Sequence, residues 1–317
     1  MYDAAKKETL LALYQHTLLT PKQLAVLLRY RVPSIYGVAG ELKKQGLVRR
    51  VPLGFLRDKQ AGYVLSSTGA KAAAALCGEE EIIRPKAWDE DPIQLEHLYG
   101  ANEFFISLIR HSLTREHEGL AEWLGARDAA ERYAHFKHAG QKKYYPLRPD
   151  GYGTYVTGQG RLVLHLEYDT GTENLSRLQD KLWSYARVLT GIWNDVESVH
   201  VLVMTKAEGR PERILQLWET LCKKPLLGLR LPQVWAITET EWHQGGFCRA
   251  LWLGKDGKRK TLQEMPVLPM PGYGPLSSLG KQQRERSPAE KWKKSKRQIF
   301  PTYTDSKIHE KLSVSER

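Results

Sequence analysis

Residues 148–185 read RPDGYGTYVTGQGRLVLHLEYDTGTENLSRLQDKLWSY. Two segments of alternating apolar residues, about 150–157 and 161–169, flank the turn Gly158-Gln159-Gly160, which is the pattern of a β-hairpin. A hairpin brings Asp150, at the start of the first strand, beside the end of the second. There Glu167 and Asp169 are two apart and share one face of the strand. Crowded carboxylates repel one another unless a cation neutralises them, and an oxygen-only set suits magnesium or manganese. A helix from about 174 to 190 follows. Its Lys181 is placed to point back over the strand ends, where it would stabilise developing negative charge or orient a water. The competing reading is ordinary strand-end acids and a solvated lysine.

Outward from this stretch the pattern continues. A helix (IQLEHLYGANEFFISLIRHSL) and a strand near 122–127 precede it. The strand VHVLVMT, the helix PERILQLWETLCKK and the strand QVWAITE follow. Hairpin strands followed by alternating helices and strands predict a mixed sheet flanked by helices over 93–254. The acidic, proline-containing segment 79–92 reads as a linker.

Residues 1–78 carry three short helical patterns. Thr20 precedes Pro21 at one helix start, and Ser34 is the expected cap of the third helix. Ile35, Val38, Ala39 and Leu42 make an inward face, leaving Ser34, Tyr36, Gly37, Gly40, Lys43 and Lys44 outward. Two short strands then flank the basic turn LRDKQAG, with Arg49, Arg50, Arg57 and Lys59 in or beside it. Helix-turn-helix plus a basic hairpin predicts a winged helix whose third helix meets the major groove and whose wing meets phosphate. The wing strand Tyr63-Val64-Leu65-Ser66 leading into Thr68-Gly69 resembles the MarR-like pattern.

Charge is segregated: net +8 over 1–75, −4 over 76–254 and +8 over 255–317. Basic ends predict a polyanionic partner, duplex DNA foremost; Trp292 either stacks on an unpaired base or packs on the body of the protein. The region 255–317 reads as an extended Pro/Gly segment and a basic arm containing Lys291, Lys293 and Lys294. Three scattered cysteines give neither a disulfide framework nor a zinc knuckle, and no phosphate-binding GxxxxGK[ST] loop is present, so zinc and nucleotide are not expected. The absence of a signal sequence or apolar span predicts a cytoplasmic protein with no membrane partner. In YAHFKHAGQKKYYP (133–146), His135 and His138 fall on opposite faces of an extended strand. That argues against a metal-histidine, tyrosine-nucleophile nickase and leaves a basic loop near DNA.

Pro149-Asp150 followed by Glu167 resembles the PD-(D/E)xK nuclease superfamily, with Asp169 where the usual lysine stands. The resemblance implies that Lys181 supplies the lysine from the next helix, that Asp150, Glu167, Asp169 and Lys181 form the catalytic set, that Asp150 and Glu167 hold the metal, and that Glu103 is a candidate additional ligand. A wider resemblance covers about residues 5–240. It rests on the winged helix, Arg148-Pro149-Asp150-Gly151-Tyr152, Leu166-Glu167-Tyr168-Asp169-Thr170-Gly171-Thr172-Glu173, and Lys181-Leu182 with Tyr185. The chain is similar to the replication-relaxation family of plasmids and integrative elements. That similarity implies a role in element replication or mobilisation, with replication or transfer proteins as further partners and a homodimer left open. A non-catalytic initiator or regulator and a protein-interaction adaptor are the alternatives to a nicking enzyme.

Overall fold

The computed structural model describes residues 2–56, 60–79, 92–134, 147–223 and 230–269. They fall into two compact units, the first ending at Arg110 and the second beginning at His111.

In the first unit, α1 (Tyr2–His16), α2 (Pro21–Leu28) and α3 (Val32–Lys44) precede an antiparallel pair, β1 (Val48–Pro52) and β2 (Ala61–Leu65), and α4 (Ser67–Cys77). Thr20 caps α2 as expected: its hydroxyl accepts the Gln23 amide at 3.2 Å, and Gln23 Oε1 accepts the Thr20 amide at 2.9 Å. The third helix begins earlier than expected. Arg31 is its N-cap, and Pro33 occupies its first turn, where a missing amide costs nothing. Ser34 is therefore inside the helix and not its cap. Ile35, Val38, Ala39 and Leu42 are buried on one side of α3, whereas Ser34, Tyr36, Lys43 and Lys44 are exposed on the other.

Helix α5 (Pro92–Ser112), which the sequence pattern groups with the second domain, packs in the first unit through Arg110. Buried Asn102 explains the attachment. Its Nδ2 donates to the carbonyls of His16 at 3.0 Å and Leu18 at 2.7 Å, satisfying the end of α1, where Thr17 turns the chain at φ 66°.

The second unit is a seven-stranded mixed sheet in chain order: β3 (Gly119–Gly125), β4 (Gly151–Thr157), β5 (Gly160–Asp169), β6 (Val199–Thr205), β7 (Gln233–Thr238), β8 (Trp252–Leu253) and β9 (Arg259–Lys260). β3, β4 and β5 pair antiparallel, β5 to β7 parallel, and β7 to β9 antiparallel. Helices α6 (Ala126–Tyr133), α7 (Leu175–Ile192) and α8 (Arg210–Cys222) share one apolar core with Val163, Val201, Val203 and Ala236. On the other face, α9 (Glu239–Arg249) is joined to β5 by Tyr168 Oη, which donates to Glu239 Oε1 at 2.7 Å. Four of these elements have weak sequence signals. α6 is a short polar helix, α9 is interrupted at Gly246 (φ 60°), and β8 and β9 have two residues each.

Candidate functional site

The register of β4 against β5 pairs Gly151 with Leu166, which sets Asp150 beside the last turn of the β5 pleat. Asp150 is fixed there twice. Its amide donates to the Leu166 carbonyl at 2.9 Å, and its Oδ2 accepts the Tyr168 amide at 2.8 Å. Its main chain and its side chain together therefore hold the β5 backbone on either side of Glu167.

Glu167 is 2% exposed, and both its oxygens are engaged from α7. Tyr185 Oη donates to Oε1 at 2.6 Å, and Lys181 Nζ donates to Oε2 at 3.0 Å. Lys181 and Tyr185 are four apart, so one helical face delivers both groups. Burial, and next the charge of Asp150, push the Glu167 carboxyl up to about 7, even though Lys181 and Tyr185 favour its ionised form. Lys181 moves upward as well, chiefly because of Glu167 and despite its burial. It stays an ammonium at neutral pH, so its part in any chemistry is electrostatic and not that of a proton acceptor. Burial and the neighbouring carboxylate raise the Tyr185 phenol too, keeping it a donor.

The alternating residues of β5 extend this pattern. His165 Nε2 accepts the Tyr133 hydroxyl of α6 at 2.5 Å, while its Nδ1 lies 3.3 Å from the His200 carbonyl. Asp169 Oδ2 accepts Thr205 Oγ1 at 2.9 Å and is paired with Arg210 Nε at the start of α8. Asp169 Oδ1 accepts Arg210 Nη2 at 3.2 Å and the Gly171 amide at 3.0 Å. Along one face of β5, then, His165 is held by α6, Glu167 by α7 and Asp169 by α8. The geometry brings Asp150, Glu167 and Lys181 together. It gives Asp169 a different occupation, anchoring the loop that follows β5.

Glu103 lies in the first unit. Its Oε2 accepts Gln23 Nε2 at 2.9 Å, and its Oε1 is 3.3 Å from Arg110 Nη2. Arg57, Lys59, Lys291, Lys293, Lys294, His135 and His138 lie outside the described residues. Arg49 is half-buried and Arg50 exposed on β1. Among the described residues no group of three or more His, Cys, Asp or Glu side chains could hold a metal ion, and no helix is long and apolar enough to cross a membrane.

Sequence pattern alone misses His165 and Arg210, because a partner on another element has no local signature. Tyr185 enters only through the resemblance, although its i+4 spacing from Lys181 is a usable signal.

A trihelical unit with a β-hairpin, followed by a mixed α+β unit whose interior strand β5 ends in a carboxylate–lysine cluster, defines the class of protein. A family model, replication-relaxation, matches residues 10–203, and the chain belongs to that family. No curated protein and no solved structure matches the chain significantly. The family ties the chain to replication or mobilisation of plasmids and related elements.

Proposed function

We propose that this protein binds duplex DNA through its first unit and nicks it at the Asp150–Glu167–Lys181 cluster of its second, in a reaction that requires magnesium or manganese. The first unit has the element order of a winged helix. The exposed face of α3, with Ser34, Tyr36, Lys43 and Lys44, is its groove-reading surface, and Arg49 and Arg50 beside the hairpin contact phosphate.

One observation carries the catalytic half: a buried glutamate is held against a second carboxylate with a lysine at hand. Burial first, and the charge of Asp150 second, make the ionised form of Glu167 costly when no cation is present. Two carboxylates with oxygen-only donors match what magnesium takes from a protein when substrate phosphate and water fill its other positions. Asp150 and Glu167 would hold the ion, which supplies Lewis acidity toward a phosphoryl oxygen. Tyr185 orients Glu167, and Lys181 stabilises charge that develops on the phosphate. Asp169 acts through the loop it anchors.

The test is relaxation of supercoiled DNA carrying the element's own origin. Wild type is expected to nick it with magnesium or manganese, and either ion should raise the thermal midpoint. Asp150→Asn removes part of the carboxylate repulsion, so it keeps the fold and loses both effects. Lys181→Ala keeps the metal-dependent shift while nicking falls by about 100-fold or more, the loss typical of a removed transition-state stabiliser.

A second reading is favoured by the full engagement of Glu167 with Lys181 and Tyr185. In it, the cluster is a structural ion pair within a non-catalytic initiator or regulator. Wild type that neither relaxes DNA nor responds to either metal establishes that alternative and removes the catalytic one.

A further inference from the structure

Lys181 has two carboxylate partners. Its Nζ lies 3.0 Å from Glu167 Oε2 and 3.3 Å from Glu173 Oε2. Glu173 belongs to the loop between β5 and α7, and that loop is fixed along its length. Asp169 anchors the start through Gly171, Thr205 and Arg210. Gly171 turns at φ 84°, and a Cβ there would stand 3.1 Å from Ala207 Cβ, so the turn runs against the chain that leaves β6. Arg210 Nη2 donates to the carbonyl of Glu173 itself at 2.5 Å. Asn174 closes the loop as the cap of α7, accepting the Ser176 amide at 3.1 Å.

This construction changes what the Glu173–Lys181 pair can do. A half-exposed ion pair between two mobile side chains contributes little, because ordering both offsets the attraction. Here the backbone of one partner is already immobilised, so only the side-chain freedom of Glu173 is lost when its carboxylate meets the lysine. An ammonium shared between two carboxylates neutralises neither completely. If Lys181 belonged to Glu167 alone, the two would make a closed pair in competition with any cation for Oε2.

We propose that Glu173 is a positioning residue that holds Lys181 as a partner shared with Glu167, so that Glu167 is only partly neutralised and stays available to a divalent cation. The cation half of this role rests on the reading given under Proposed function. The positioning half stands on the geometry of the loop.

The experiment uses the full-length chain and two readouts. Metal-free protein is treated with limiting acetic anhydride, and acylation of Lys181 relative to the other lysines is followed by mass spectrometry. Glu173→Gln should raise it several-fold, because the ammonium loses a fixed partner. Manganese binding is then measured by calorimetry. Glu173→Gln should weaken it by about 10-fold or more, the size usual for the supporting partners of metal ligands. In a Lys181→Met background the same substitution should change nothing, since its effect runs through the lysine. Unchanged acylation in Glu173→Gln overturns the proposal, and so does a loss of manganese affinity that persists in the Lys181→Met background. A wild type that binds no manganese sinks the metal-dependent reading instead, while the acylation comparison still decides whether Glu173 holds Lys181.

Discussion

At the scale of single residues, buried groups of opposite character make the pH response separable. His200 is fully buried and neutral in a defined tautomer: its Nε2 donates to the Pro266 carbonyl at 2.7 Å, and its Nδ1 accepts the Trp235 indole N–H at 3.2 Å. Burial lowers it to about 4 from the ordinary 6.5. Between those values the unfolded chain binds the extra proton, so its contribution to stability is complete above about 6.5 and is lost as pH falls toward about 4. Glu167 works in the opposite direction. Its carboxyl is raised to about 7 from 4.5, so the folded state holds the proton longer and the penalty enters as pH rises through that window. His200→Gln should therefore flatten the acid side of a denaturation-versus-pH curve. Glu167→Gln should remove the decline toward pH 8, and unchanged curves in both would remove these residues as the source. Tyr185→Phe tests the neighbour. It deprives Glu167 Oε1 of its hydroxyl donor and should cost about 1–3 kcal/mol in urea denaturation at pH 8, the range for a buried acceptor left without its bond.

At the scale of elements, two glycines in helices of the first unit are predicted to behave oppositely. A Cβ on Gly69, in the first turn of α4, would meet the Leu47 carbonyl oxygen at 1.8 Å, so Gly69→Ala must displace backbone and should destabilise by about 1–3 kcal/mol. A Cβ on Gly37 in α3 meets nothing within 4 Å, so Gly37→Ala should stabilise by about 0.5–1 kcal/mol through the lost freedom of the unfolded chain. Chemical denaturation of both variants checks the pair, and equal signs would contradict the packing described. The long strands and amphipathic helices were legible in the sequence because period-2 and period-3.6 patterns are local. Asp150 and Glu167 were legible for the same reason, since the short turn between their strands, Gly158-Gln159, fixes the register. α6, α9 and the two-residue strands were not, being too short or interrupted to show a period. The attachment of α5 was not either, because it depends on Asn102 finding carbonyls more than eighty positions away.

At the scale of the whole molecule, charge and family point to the same partner. The net +8 of residues 1–75 and of 255–317 predicts that affinity for duplex DNA falls steeply with salt, and that removing 281–317 makes the slope shallower. An equal slope after truncation would show that the arm does not touch phosphate. Neutralising Lys43 and Lys44 should weaken binding more at a cognate site than elsewhere if α3 reads bases, which titration against two duplexes distinguishes. The face of β5, where α6, α7 and α8 each hold one polar residue, also bears on how such chains diverge. A descendant that gave up chemistry would still be under pressure to keep Glu167, because losing it strands a buried phenol and leaves a lysine one partner short. Asp150 is less enclosed, and its side chain meets a backbone amide that asparagine could equally satisfy. If the cluster nicks DNA as proposed above, drift from aspartate to asparagine at 150, with 167 unchanged, is therefore the mark by which non-nicking relatives would be told from nicking ones.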